Sequence, residues 1–260
     1  MPQLDLGVLV SGRGSNLQAI LDAVAEGRLE ARVRLVISNQ EGAPALERAA
    51  RAGVPTQVVS HRAFPDRESF DAALVAALRE AGVSWVVLAG FMRLLTPTFL
   101  AAFPDRVVNI HPALSPAFPG VDAQQQALDH GVKLTGCTVH LVDAGTDTGP
   151  ILAQAVAPVL DGDDRDTLAA RLITLEHTLL VKTLGWISEG RLRLRPATRP
   201  GARVKARLLG VTPVLGIAGI AGIAGIAGSE GLAEGEASAS GAPEEEPGAE
   251  GDAREWEQVP

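Results

Sequence analysis

Along residues 6–188, short apolar runs alternate with stretches in which apolar residues recur every three or four positions. Residues 6–10 form one such run, closed by Ser11 and two glycines, after which Leu17, Ile20, Leu21 and Val24 follow at helical spacing. The unit repeats. A strand at 33–37 precedes a helix at 44–52, and a strand at 56–59 precedes a helix at 70–78. Two more strands are predicted at 86–89 and 107–110, with a short helix at 96–103 between them. Strands that alternate with helices, and are apolar on both sides, imply a parallel sheet of about five strands covered on both faces. After Pro112 the chain reads as a Pro-rich loop, a short helix at 122–130 and two strand-like runs at 135–142 and 151–156 that can pair as a hairpin. Leu168, Leu172, Leu175, Leu179 and Leu184 then make most of an apolar stripe on a long helix at 164–188, which closes the domain. The pattern defines an α/β, Rossmann-like, mostly parallel sheet with helices on both faces, extended by C-terminal strands.

Charge changes the picture only when divided along the chain. Residues 211–260 carry ten acidic residues against one Arg, so the rest, with 22 basic and 21 acidic residues, is nearly neutral. A neutral body offers no footprint for nucleic acid. The segment 191–209 holds seven Lys or Arg and leads into four Gly-Ile-Ala units between Gly216 and Ala227. An isoleucine at every third position drifts around a helix, so no single apolar face forms. Gly and Ala dominate that repeat and Pro213 interrupts its start, which speaks against a membrane span. The Glu-, Gly- and Ala-rich residues that follow have the composition of a disordered tail. The organisation expected is therefore a folded domain at 1–195, a basic connecting segment at 196–210 and a low-complexity acidic tail at 211–260. The single cysteine, Cys137, cannot close an intramolecular disulfide, and the N-terminal residues lack a signal-peptide pattern. A cytoplasmic protein is expected.

Three clusters carry candidate chemistry. The first strand ends in Ser11-Gly12-Arg13-Gly14-Ser15-Asn16-Leu17, where glycines allow close backbone approach and a helix N-terminus offers free N–H groups to an anion. A phosphate suits it better than a dinucleotide. Leu17 replaces the third glycine of that fingerprint, and no acidic residue closes the second strand. The second cluster is Asn109-Ile110-His111-Pro112 at the carboxyl end of a buried strand, where alternation puts Asn109 and His111 on one face. The third is a loop, residues 142–150, with Asp143, Asp147 and two glycines. As a bare pattern it is a surface turn. Acyl transfer to an amine gives it a use, because the tetrahedral oxyanion needs a donor amide, a protonatable imidazole and a carboxylate that holds the imidazole. Asn109, His111 and either Asp143 or Asp147 meet that need if the loop folds over the strand end.

The order S-G-x-G-S-N-L, A-G-F-M-R-L-L, N-I-H-P-x-L-x-P-x-x-P-G, T-V-H-x-V-x-x-x-x-D-x-G-P and a late E-H resembles the phosphoribosylglycinamide formyltransferase family over about residues 5–195. The resemblance implies transfer of a formyl group from 10-formyltetrahydrofolate, a cosubstrate, to the amine of glycinamide ribonucleotide in purine synthesis, without a metal. It implies Asn109, His111 and Asp147 as the catalytic trio, with Asp147 chosen over Asp143 because it lies two residues before Gly149-Pro150. Gly14, Ser15, Asn16 and Glu176 would bind the ribonucleotide. Arg67, Met92, Arg93, Leu94 and Leu95, with Asn109, would line the folate site, although Met92, Leu94 and Leu95 could equally be ordinary core. His140 matches a family histidine near the site, and its role could be structural. Where the family reads H-P-S-L-L-P this chain has Ala113 and Ser115, which moves one loop hydroxyl by two residues. Direct attack by the neutral amine is implied, with the proton carried by His111 or by a water that Asp147 orders.

Other folate formyl enzymes share this trio. A formyl-tRNA enzyme would add a sizeable RNA-binding domain, and a formyltetrahydrofolate hydrolase would carry a regulatory domain before the first strand. The phosphate loop argues against an amino-sugar formyltransferase. From another class, a sensor could bind folate or nucleotide in the same cleft without turnover. The partners expected are small molecules rather than nucleic acid or membrane, and the assembly a monomer or a homodimer.

Overall fold

The computed structural model describes residues 3–197, 203–216 and 257–259. Strands β1 (Leu4–Val10), β2 (Ala31–Ser38), β3 (Thr56–Val58), β4 (Trp85–Leu88) and β5 (Val107–His111) pair in parallel in the order β3-β2-β1-β4-β5. Helices α1 (Ser15–Ala25), α2 (Pro44–Arg51), α3 (Arg67–Glu80) and α4 (Pro97–Ala102) supply the crossovers. After α5 (Ala123–Asp129), strand β6 (Leu134–Leu141) adds antiparallel to β5 and β7 (Ile151–Pro158) antiparallel to β6, and α6 (Arg165–Ser188) packs over them. This is the α/β architecture expected from the alternation, with the hairpin extending the sheet.

Burial on both faces follows from the twofold alternation of strand side chains. Leu6, Val8 and Val10 of β1, with Trp85 and Val87 of β4, meet α1, α2 and α6 in one core. Leu9, Val86 and Leu88 point the other way, into a second core with Phe70, Leu74 and Leu78 of α3 and Phe99 of α4. In β2 the pairing slips at Arg34, where Leu6 faces Val33 and Gly7 faces Leu35. This bulge switches the parity of the strand, so Val33 and Val36 share the first core while Leu35 and Ile37 share the second. Periodicity alone does not show it.

The C-terminal region holds more strand than its composition suggests. β8 (Leu192–Arg195) and β9 (Lys205–Leu208) form an antiparallel hairpin across the basic segment. Leu192, Leu194 and Leu208 are buried in the first core, while the basic residues alternate with them. A period-two pattern is present in Leu192-Arg193-Leu194-Arg195, but its arginines draw the eye first. β10 (Val214–Leu215) pairs parallel with β7, and β11 (Glu257–Gln258) pairs antiparallel with β8. A backbone contact between the basic segment and the end of the acidic tail is therefore present. The Gly-Ile-Ala repeat beyond Gly216 and most of the acidic tail lie outside the described residues. No helix among the described residues is long and apolar enough to cross a membrane.

The start of α6 is fixed by a capping box, in which Asp164 accepts from Thr167 N at 2.8 Å and Thr167 Oγ1 accepts from Asp164 N at 2.9 Å. Beside it Arg171 donates two bonds to Asp163, at 2.6 and 2.7 Å, and a third to the Pro158 carbonyl at 3.0 Å. This clip ties the end of β7 to α6 and holds the Asp163 carboxyl down at about 2. A carboxyl with a depressed folded-state pKa contributes stability above its ordinary range, and that contribution is lost as pH falls toward 2. Asp163→Asn is expected to cost about 1 kcal/mol at pH 7. Denaturant melts at pH 7 and pH 3 should show the gap between variant and wild type narrowing at the lower pH.

Candidate active site

Asn109 and His111 lie at the carboxyl end of β5, on the face opposite Val108 and Ile110, which belong to the first core. In the register of β6 on β5, His140 stands opposite Asn109 and Thr138 opposite His111. Four polar side chains thus share one patch of an otherwise apolar sheet. The loop between β6 and β7 folds back over this patch and delivers Asp147. The turn is tight: a Cβ on Gly149 would lie 1.9 Å from the Leu141 carbonyl oxygen. Asp147 itself sits at φ 53°, a left-handed conformation that aspartate tolerates better than most side chains.

The Asp147 carboxylate is 13% exposed and faces four donors or imidazole nitrogens. Its Oδ2 accepts the Gly120 amide at 2.8 Å and lies 3.4 Å from His111 Nδ1. Its Oδ1 accepts from Asn109 Nδ2 at 3.3 Å and lies 3.5 Å from His140 Nε2. Burial pushes this carboxyl upward, but the His140 contact, the Gly120 amide and the two imidazoles outweigh it and hold it below the usual carboxylate range. Asp143 is placed differently. It accepts from Gly145 N and Thr148 Oγ1 at 3.0 and 2.7 Å, so it builds the turn rather than facing the imidazoles.

Hydrogen-bond partners dictate the state of each imidazole. His140 Nδ1 lies 2.8 Å from the Leu141 carbonyl and donates to it, while its Nε2 faces Asn109 Nδ2 at 3.1 Å and Asp147 Oδ1 at 3.5 Å, accepting from the carboxamide when the ring is neutral and pairing with the carboxylate when it carries a proton there. His111 is only 4% exposed, and both its nitrogens face acceptors: Nε2 the Phe118 carbonyl at 2.8 Å, Nδ1 the Asp147 carboxylate. Only the imidazolium can donate to both. Burial drives the His111 pKa down, Asp147 and the Phe118 carbonyl raise it, and His140 lowers it, leaving it below the ordinary histidine value. The ring is poised between two opposed demands.

Two clefts lie beside this cluster: Asn109, His140 and Asp147 line the smaller one, and His111 lies outside the lining of both. The larger, about 840 Å³, runs from the 11–16 loop to Glu176 on α6. Gly14 caps α1 at φ 73°, and a Cβ there would lie 2.6 Å from the Ala45 Cβ, so the loop and α2 approach as only glycine permits. Asn16 Nδ2 donates to Glu176 Oε2 at 2.8 Å, and Asn16 Oδ1 is buried with no partner among the described residues. Burial raises the Glu176 pKa, against Asn16 and the charge of Arg13. The smaller cleft, about 300 Å³, has apolar walls from Leu88, Phe91 and Val142, and reaches Asn109 and Asp147. Met92 and Val121 line both clefts and are 70% and 77% exposed.

A model of the formyl transferase domain matches residues 5–184. The chain belongs to the formyl transferase family. The phosphoribosylglycinamide formyltransferase of Mycobacterium tuberculosis (strain ATCC 25618 / H37Rv) is 53% identical over 176 residues, 68% of this chain and 81% of that protein. The trifunctional purine biosynthetic protein adenosine-3 of Drosophila pseudoobscura pseudoobscura is 47% identical over 194 residues, 74% of this chain. This chain spans only 14% of that protein's length. Among solved structures, glycinamide ribonucleotide transformylase 1 from Symbiobacterium toebii superposes with a TM-score of 0.75 at 49% identity, covering 80% of this chain and 94% of that one.

Within this formyl transferase domain the residues singled out from sequence fall into distinct groups. Asn109, His111 and Asp147 converge, as do Gly14, Ser15, Asn16 and Glu176 along the larger cleft. In the 92–95 segment, Met92 and Leu94 are open to solvent, whereas Leu95 is buried in the second core. Arg93 packs its guanidinium 5.4 Å from the Phe70 ring centroid and also lines the smaller cleft. Arg67 stands outside the lining of both clefts, donating from Nη2 to the Leu94 carbonyl at 2.7 Å. Sequence reasoning left His140 undecided and gave no part to the Phe118 carbonyl or the Gly120 amide. Alternation of Thr138 and His140 was visible, but their pairing partners on β5 were not. Cys137 is buried in β6, its thiol pushed up to about 12 by burial first and by the Glu176 charge second, which makes it inert.

Because the Asp147 charge is what raises His111 against burial, Asp147→Asn should lower the His111 titration midpoint further. NMR titration of the ring resonances measures it. His111 favours the folded state above its unfolded pKa, and that preference fades as pH drops through the lower folded value.

Proposed function

We propose that the protein transfers the formyl group of 10-formyltetrahydrofolate to the primary amine of glycinamide ribonucleotide, in the cytoplasm. The observation that carries the reading is the convergence of Asn109, His111 and Asp147, two of which line an apolar-walled cleft that shares Met92 and Val121 with the cleft holding the glycine-rich loop. The names of the relatives agree with it.

The glycine-rich turn before α1 offers backbone N–H groups to the ribonucleotide phosphate. Farther along the same cleft, the unpartnered Asn16 Oδ1 and the Glu176 carboxylate accept from the glycinamide end. The apolar walls of the smaller cleft and the exposed Met92 and Leu94 suit a flat pterin ring, with the 92–95 backbone available for hydrogen bonds. Arg67 supports that segment from outside, through Leu94.

As the amine nitrogen bonds to the formyl carbon, negative charge grows on the formyl oxygen. Asn109 has one amide hydrogen on His140 at 3.1 Å and one on Asp147 at 3.3 Å, and the longer bond is the one it can redirect to that oxygen. Asp147 favours the imidazolium of His111, which places positive charge beside the same centre. The carbon–nitrogen bond to folate then breaks. The proton lost by the amine reaches the departing folate nitrogen through a water that Asp147 orders, since both His111 nitrogens are committed to the Phe118 carbonyl and the Asp147 carboxylate.

Incubation with 10-formyltetrahydrofolate, with or without glycinamide ribonucleotide, tests the reading. Tetrahydrofolate should appear only when the acceptor is present. Release without acceptor would mark a hydrolase, and binding without release a sensor. Asp147→Asn should lower turnover by roughly a hundredfold or more while leaving substrate binding nearly intact. Unchanged turnover in that variant would remove Asp147 from the mechanism.

A further inference from the structure

We propose that Arg203, in the C-terminal region beyond the formyl transferase domain match, is a positioning residue that holds the Asp147 loop in place. Arg203 Nη1 donates to the carbonyl of Thr148, the residue that follows Asp147, at 3.2 Å. The matched domain ends at residue 184, so this contact comes from a segment that the domain does not include. The proposal rests on the formyl-transfer reading for its kinetic consequence, but its geometric part stands apart from it.

The support under Arg203 is firm. It lies two residues before β9, and Leu192, Leu194 and Leu208 bury the hairpin in the first core. The hairpin base is closed by Leu209 N donating to the Arg191 carbonyl at 3.0 Å. Downstream, β10 pairs with β7 at Gln154 and Ala155, and Gln154 N donates to the Pro213 carbonyl at 2.9 Å. The same C-terminal region therefore covers the edge of the strand that leaves the Asp147 loop and also touches the loop itself.

What it holds is delicate. Three of the four Asp147 contacts are long, 3.3 to 3.5 Å, and only the Gly120 amide is close. A displacement of a few tenths of an ångström would weaken the contacts to Asn109, His111 and His140 together. Inside the loop, Thr148 Oγ1 bonds Asp143, so the side chain of Thr148 is tied on one side and its carbonyl on the other. An exposed arginine of this kind contributes little to global stability. Its effect falls on the placement of one carboxylate.

The test uses the full chain with Arg203→Met, Arg203→Lys and, as a charge control, Arg207→Ala on the same hairpin. Steady-state kinetics with both substrates is combined with thermal melting and NMR titration of His111, which faces Asp147, His140 and the Phe118 carbonyl. Arg203→Met should lower kcat roughly two- to tenfold, the range for loss of one hydrogen bond. It should leave KM for glycinamide ribonucleotide and the melting midpoint at wild-type values, and move the His111 titration downward. Arg203→Lys should recover part of each effect, and Arg207→Ala should match wild type. Wild-type kcat and an unmoved His111 titration in Arg203→Met would overturn the proposal, as would an equal fall in Arg207→Ala. If the wild-type chain transfers no formyl group, the formyl-transfer reading fails, and the His111 titration alone decides whether Arg203 positions Asp147.

Discussion

A carboxylate kept charged while mostly removed from water is the constraint around which this site is built. Asp147 would be costly there if it stood alone, because burial penalises the ionised form. The Gly120 amide, the Asn109 carboxamide and two imidazoles compensate, and its pKa falls rather than rises. Each of those partners must in turn be fixed. His140 is held by the Leu141 carbonyl and His111 by that of Phe118, so backbone geometry sets both rings.

That requirement explains the shape of the surrounding loops. The 142–150 loop turns back sharply enough that Gly149 has no room for a side chain, and Asp143 is spent on the turn itself. The loop after β5 is anchored differently. Thr138 accepts from Ser115 N and donates to the Ala113 carbonyl, and Gln154 reaches the Ser115 carbonyl. Beyond these anchors the chain places the Phe118 carbonyl on His111 and the Gly120 amide on Asp147. Two loops distant in sequence therefore converge on one carboxylate–imidazole contact, each tied to the antiparallel strands that extend the sheet.

The sheet in turn sets where substrates can meet. Helices cover both faces along most of its width, leaving the carboxyl ends of β1 and β5 open between α1, α6 and the 92–95 segment. The anion-ready turn belongs to β1 and the polar trio to β5 and its neighbour. Met92 and Val121 stand where the two clefts join.

Much of this was written locally in the sequence. Twofold and 3.6-fold periodicities report which side of an element is buried, and burial is decided residue by residue, so β1 to β7 and α1 to α6 were legible. The chemistry of Asn109 and His111 at a strand end, and of glycines before α1, was legible for the same reason. Partner choice across long separations was not. The choice of Asp147 over Asp143 needed either the family resemblance or the loop's path over the sheet. The inclusion of His140 needed the register of β6 on β5, and the separation of buried Leu95 from open Met92 and Leu94 needed the packing of α3 and α4. The basic segment concealed a hairpin because its charges mask a half-buried alternation. Sequence by itself determined the elements and the candidate groups, since these depend on neighbours a few residues away. Tertiary structure decided which of those groups touch, because contacts such as Asn16 with Glu176 and Arg203 with Thr148 depend on how the whole chain closes on itself.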